Sequence, residues 1–141
     1  MSAVINEAQV FTLQSERIGK YWPEICKFLM MVERPDWTLD DVYESIINKE
    51  AQVWGMAENG EITGILLTQI NFCAGEKYAL VWIAAAKTGE GLTKGLPAFL
   101  EHCEPWFKEL DCKYVKIVGR RGWKKTLPDY HEHTVELRKP L

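Results

Sequence analysis

Residues 51–86 constrain the fold more than any other stretch. "AQVWGMA" (51–57), "ITGILLTQINF" (62–72) and "KYALVWIAAA" (77–86) are rich in β-branched, aromatic and aliphatic residues, the composition of strands. Between the first two lies "ENGE", whose Asn59-Gly60 pair suits a two-residue hairpin turn because both residues tolerate positive φ. "CAGE" marks a second turn. Strands joined this tightly must run antiparallel. The third is apolar throughout, as expected of a central strand covered on both faces.

The flanks supply the covering layers. "AQVFTL" (8–13) alternates weakly and reads as a first strand. From Ser15 onward, Ile18, Trp22, Ile25, Leu29 and Val32 recur at helical spacing. Pro23 either sits in the first turn of a helix that starts near Trp22, or kinks a longer one. Thr38 is the expected cap of the next helix, with Asp41 in the capping-box position and Trp37 and Val42 at staple positions. Leu39, Val42, Ile46 and Ile47 form its apolar face.

After residue 86 comes "KTGEGLTKGLP", then Leu96, Phe99, Leu100, Cys103, Phe107 and Leu110 at helical spacing. Pro97 is expected in the first turn of this helix and Pro105 is expected to bend it. "KYVKIV" (113–118) is a short strand, "GRRGWKKTLPDY" (119–130) a turn or short helix, and "HTVELRKP" (133–140) a last strand. The expected order is β-α-α-β-β-β-α-β-(short α)-β. This is an α/β (α+β) chain forming one domain over 1–141, with a mixed central sheet and helices on both faces.

Charge is unevenly spread. Residues 1–112 carry 17 acidic and 9 basic side chains, and residues 113–141 carry 3 and 8. The basic quarter could meet a phosphate, a nucleic acid or an acidic partner, or the chain's own acidic part. A net charge of −3 is a poor starting point for strong nucleic-acid binding. The six tryptophans are spaced as core anchors rather than as a base-stacking platform. Cys26, Cys73, Cys103 and Cys112 form no CxxC pair, which fits a reducing compartment. No apolar run is long enough to span a membrane, and the first residues lack the pattern of a secretory signal, so a protein that is not secreted is expected.

The chemistry-bearing residues cluster after the third strand of the meander. In Ala86-Lys87-Thr88-Gly89-Glu90-Gly91, the glycines allow close backbone approach, and free N–H groups at a helix start favour an anion. Gly89, Gly91, Thr93 and Lys94, with Lys87 beside them, could cradle a pyrophosphate; Glu90 must then point outward. Arg120, Arg121, Lys124 and Lys125 are the second cationic group. No catalytic acid or base can be assigned. Glu58 and Glu61 fall in a hairpin turn, and His131 and His133 in a loop. His102, Cys103, Cys112, His131 and His133 make a poor metal set, because neighbours on a helix point about 100° apart, and no metal is expected.

The element order, with a glycine pattern between an apolar strand and a helix, resembles the GNAT (Gcn5-related N-acetyltransferase) fold over nearly the whole chain. The GNAT loop has the pattern Arg/Gln-x-x-Gly-x-Gly/Ala. Gly89 and Gly91 match its glycines, while Ala86 replaces its leading Arg/Gln. The resemblance implies acetyl-CoA as cofactor and N-acyl transfer to an amine, small or on a protein. GNAT enzymes often carry an early Asn and a later acid Tyr after the fifth strand. "GRRGWKKTLPDY" offers neither, and Tyr130 reads as a packing residue. A chain of this size with that segment also looks like small GNAT-related proteins of tailed bacteriophages. That narrower resemblance implies the host cytoplasm or the virion. It also implies an alternative: a non-catalytic internal virion or assembly protein that contacts phage structural proteins, or DNA through 113–139.

Overall fold

The computed structural model describes residues 9–32, 35–118, 123–132 and 137–141. Strands β1 (Gln9–Leu13), β2 (Ala51–Glu58), β3 (Glu61–Cys73), β4 (Glu76–Ala86) and β5 (Tyr114–Ile117) form one five-stranded sheet in sequential order. The pairs β1–β2, β2–β3 and β3–β4 are antiparallel, and β4–β5 is parallel. The meander closes through two tight turns. Asn59 and Gly60 have φ of 53° and 78°, as a primed turn demands. Ala74 and Gly75 repeat this with 52° and 80°, although alanine has no preference for that region.

Helices α1 (Ile18–Leu29) and α2 (Leu39–Ile47) cover one face of the sheet, and α3 (Gly89–Glu109) the other; α4 (Trp123–Thr126) packs on α3. The alternation of each strand divides its side chains between two cores. Val53, Ile65, Leu67, Ile83 and Ala85 meet Ile25, Phe28, Leu29, Val42 and Ile46 on the first face. Trp54, Leu66, Ala79 and Val81 meet Leu96, Phe99, Leu100, Cys103 and Phe107 on the second. The tryptophans at 22, 37, 54, 82 and 106 all pack against one core or the other.

Of the two alternatives for Pro23 the longer helix holds, and the expectation for Pro97 changes. α1 continues from Ile18 through Pro23, and α3 begins at Gly89, so Pro97 lies two turns inside it. A proline there removes one N–H and leaves the carbonyl four residues earlier without its helical donor. Pro23 and Pro105 are exposed, as are Gly19 and Glu101 four residues before them, so water can satisfy those carbonyls. Of the last strand expected over 133–140, residues 133–136 lie outside the described residues, and 137–140 carry no regular structure.

The second core holds one buried polar chain. The Trp54 Nε1–H donates to Thr68 Oγ1 at 2.9 Å, and the Thr68 hydroxyl donates to Gln52 Oε1 at 2.8 Å. Thr68 is fully buried, so its hydroxyl joins β2 and β3 where no water can substitute. Thr68→Val keeps the shape but leaves the indole N–H without an acceptor. It is expected to cost about 1–3 kcal/mol in urea unfolding. A loss below about 0.5 kcal/mol would mean that the indole finds another acceptor.

Cys103 is fully buried on the sheet-facing side of α3, and burial, with Glu104 beside it, pushes its thiol up to about 12. In the unfolded chain the thiol ionises near its ordinary value of 9.0, so above that pH the unfolded state loses a proton that the native state keeps. This contribution is whole below about pH 9 and is lost as pH rises through 12. The urea midpoint is therefore expected to fall between about pH 8 and about pH 9.5, and to fall less in Cys103→Ala.

Candidate functional site

The site is built by an irregularity in β4. Leu67 pairs with Ile83 and Thr68 with Val81, so Trp82 has no partner on β3. It is the extra residue of a bulge. Trp82 and Ile83 consequently both turn to the α1–α2 face, where strict alternation would have separated them. A bulge bends its strand and increases the local twist. On the other edge of β4, pairing with β5 runs from Tyr78↔Tyr114 to Val81↔Ile117 and ends there. β4 continues to Ala86 while β5 stops at Ile117, so their pairing ends at the bulge.

The gap is a slot of about 150 Å³. Val32, Trp37, Trp82 and Ile83 wall it on the α1–α2 side, and Val81, Ala84, Leu96 and Ile117 on the α3 side, with exposed Val118 at its rim. Among the described residues, no ionisable side chain lines it. From Trp82 to Ala86, alternate peptide groups of β4 face this open side, where β5 no longer supplies partners.

The wall residue Trp37 is fixed by the cap of α2. Thr38 Oγ1 accepts the Asp41 N–H at 3.1 Å, and Asp41 Oδ2 accepts the Thr38 N–H at 3.0 Å. With Val42 fully buried and Trp37 partly buried in the same core, the expected capping box and staple are both in place. Such a cap contributes about 1 kcal/mol. It also sets the direction from which the chain enters α2, and so the position of the indole.

The glycine segment lies at the end of β4. Only Lys87 and Thr88 separate β4 from α3, and Gly89 and Gly91 belong to the first turn of that helix. A second bulge holds the link. Met56 pairs with Gly64 and Ala57 with Ile62, leaving Thr63 extra on β3. The Thr63 carbonyl accepts the Lys87 N–H at 3.0 Å. Lys87 Nζ lies 3.0 Å from Glu61 Oε2, with both side chains largely exposed. Such a pair holds weakly and can exchange for a stronger anion. The carboxylate partner of Lys87 is separated from it by 26 residues and was not legible from local sequence.

Lys94 is exposed on the second turn of α3, and Lys125 is exposed on α4. Lys124 lies on α4 as well, while Arg120 and Arg121 fall outside the described residues. Glu58 closes β2, exposed beside the hairpin turn and opposite Glu61. His131 is exposed, and His133 lies outside the described residues. His102 sits edge-on to Trp54 with ring centroids 5.9 Å apart. Tyr130 packs against the second core, and its hydroxyl donates to Glu104 Oε1 at 2.8 Å. Burial first, then that hydrogen bond, push the phenol well above its ordinary value, which holds it as a neutral donor bound to α3.

The sequence matches no protein-family model and no curated protein. The fold does match solved structures. The chain is similar to an aminoglycoside acetyltransferase from an uncultured soil metagenomic sample, with TM-score 0.69, 12% identity and 99% of each chain covered. It is similar to a Trypanosoma brucei acetyltransferase with TM-score 0.66 and 12% identity, over 96% of this chain and 100% of that one. A GNAT family acetyltransferase of Staphylococcus aureus gives TM-score 0.65 and 15% identity over 95% and 98%. The mixed five-stranded sheet with β4 and β5 parallel, the helix that follows β4 after two residues and these whole-length matches together give the chain the GNAT acetyltransferase fold.

Proposed function

We propose that the protein is an acyl-CoA-dependent N-acyltransferase working at the slot between β4 and β5. The observation that carries this reading is the slot itself. It opens at the Trp82 bulge, beside a stretch of β4 that β5 leaves unpaired among the described residues and within one short link of a glycine-containing helix start.

The residues present fit such a cofactor. Peptide N–H groups in the first turn of α3, at Gly89 to Gly91, would hold the pyrophosphate, supported by Thr93 and Lys94. Lys87 would join them on release from Glu61. The open peptide groups of β4 would pair with an amide-bearing arm as an added strand does. Arg120, Arg121, Lys124 and Lys125 follow the rim residue Val118 in sequence and suit a further phosphate. When bound, an acyl-CoA supplies an activated thioester carbonyl. The chain's own part is then to orient that group in the slot, exclude water with the walls, and place an amine against it. Tyr130 is committed to Glu104 and is not assigned as a catalytic acid.

Isothermal titration with acetyl-CoA up to about 1 mM, a range that resolves even a weak complex, tests the reading. Heat that saturates at one site supports it. No heat from any acyl-CoA would overturn it and leave the alternative, a virion or assembly protein that retains the fold for contacts.

A further inference from the structure

The slot's own chemistry narrows the acceptor. Its two sides are unlike. The α3 side carries Leu96, two turns along the helix from the glycine segment assigned above to the cofactor. The opposite side is lined by Val32 and Trp37, which flank the connection between α1 and α2, together with Trp82 of β4. Trp82 faces that side only because the bulge turns it there. Two partly exposed indoles and a valine therefore face any molecule that enters the slot from the α1–α2 side. The same connection also exposes Met30 and Met31, at 75% and 50%.

An alkyl ammonium, with a pKa of about 10.4, would have to shed its hydration and its proton to enter such a space. Burying that charge against apolar walls is costly, whereas a flat apolar body gains area on the indoles. We propose that the acceptor is an aromatic amine, apolar and already neutral at neutral pH, whose ring packs against Trp37 and Trp82. This rests on the acyl-transfer reading. The amine nitrogen's lone pair forms the new C–N bond at the carbonyl carbon of the acyl-CoA thioester. The C–S bond breaks, the sulfur leaves with that electron pair, and the proton shed by nitrogen ends on the thiol. The products are an N-aryl amide and free CoA.

The test compares kcat/KM for acetyl transfer from acetyl-CoA to 4-ethylaniline, cyclohexylmethylamine and an aminoglycoside, with products read by chromatography. At pH 7 the aniline is expected to exceed both others by about tenfold or more, the scale on which an apolar pocket discriminates. Its lead over the alkyl amine should shrink as pH rises toward the alkyl ammonium pKa. Trp37→Ala should raise KM for the aniline more than for the alkyl amine. A faster alkyl amine or aminoglycoside at pH 7, or no aniline product from protein that binds acetyl-CoA by titration, would overturn the proposal. Absence of acetyl-CoA binding would instead remove the acyl-transfer reading beneath it, and the proposal with it.

Discussion

Gly91→Trp is expected to weaken acetyl-CoA binding by about 10- to 100-fold, the equivalent of one or two charge-assisted hydrogen bonds. Gly91 stands in the first turn of α3, where peptide N–H groups have no partner within the helix. An anion reaches them only where no side chain stands in front, and an indole there fills the approach. The helix itself loses little, because tryptophan has a better helical propensity than glycine. Titration calorimetry should therefore show the loss while the thermal midpoint stays within a few degrees of the parent. Unchanged affinity would exclude the first turn of α3 from the cofactor site. Collapse of the midpoint would instead show that Gly91 is needed for packing.

Phe99→Ala is expected to give the largest loss of stability, about 3–5 kcal/mol, against a total of about 5–15 kcal/mol for a domain. Phe99 projects from α3 onto the sheet and is 2% exposed. A Cβ on Gly64 of β3 would lie 3.6 Å from its ring, so the helix approaches the strand at a point without a side chain. Gly95, one turn earlier, comes as close to β2: a Cβ there would meet Met56 Sδ at 3.3 Å. Two such approaches leave α3 little freedom to settle into a cavity, which places the cost at the upper end of the range. Urea unfolding should show the midpoint move with the slope preserved. A cost under about 1 kcal/mol would mean that α3 can slide to refill the space.

The two predictions differ in how they could be reached from the sequence. The place of Gly91 at a helix start was legible because a glycine pattern after an apolar strand and before a helix is local. The same holds for the Asn59-Gly60 turn, the Thr38 cap with Asp41, and the pairing of β2, β3 and β4 that the two short turns impose. Phe99 was legible as a core position from its helical spacing, but not as the residue set over Gly64. Pro97 misled on the start of α3, since tertiary packing carries that helix through a residue whose local preference is to begin one.

The sequence by itself determined the order of elements from β1 to α4, the antiparallel meander, the buried faces of α1 and α3 and the glycine-containing start of α3. Each follows from interactions within a few residues: periodicity, capping and turn chemistry. Only the tertiary structure decided that a bulge lies at Trp82, that Lys87 rests on Glu61, and that Tyr130 is bound to Glu104. A bulge is a mismatch between two strands, and no single strand encodes it. The slot exists because β4 bends there and β5 ends, so its aromatic walls come together from segments far apart in the chain.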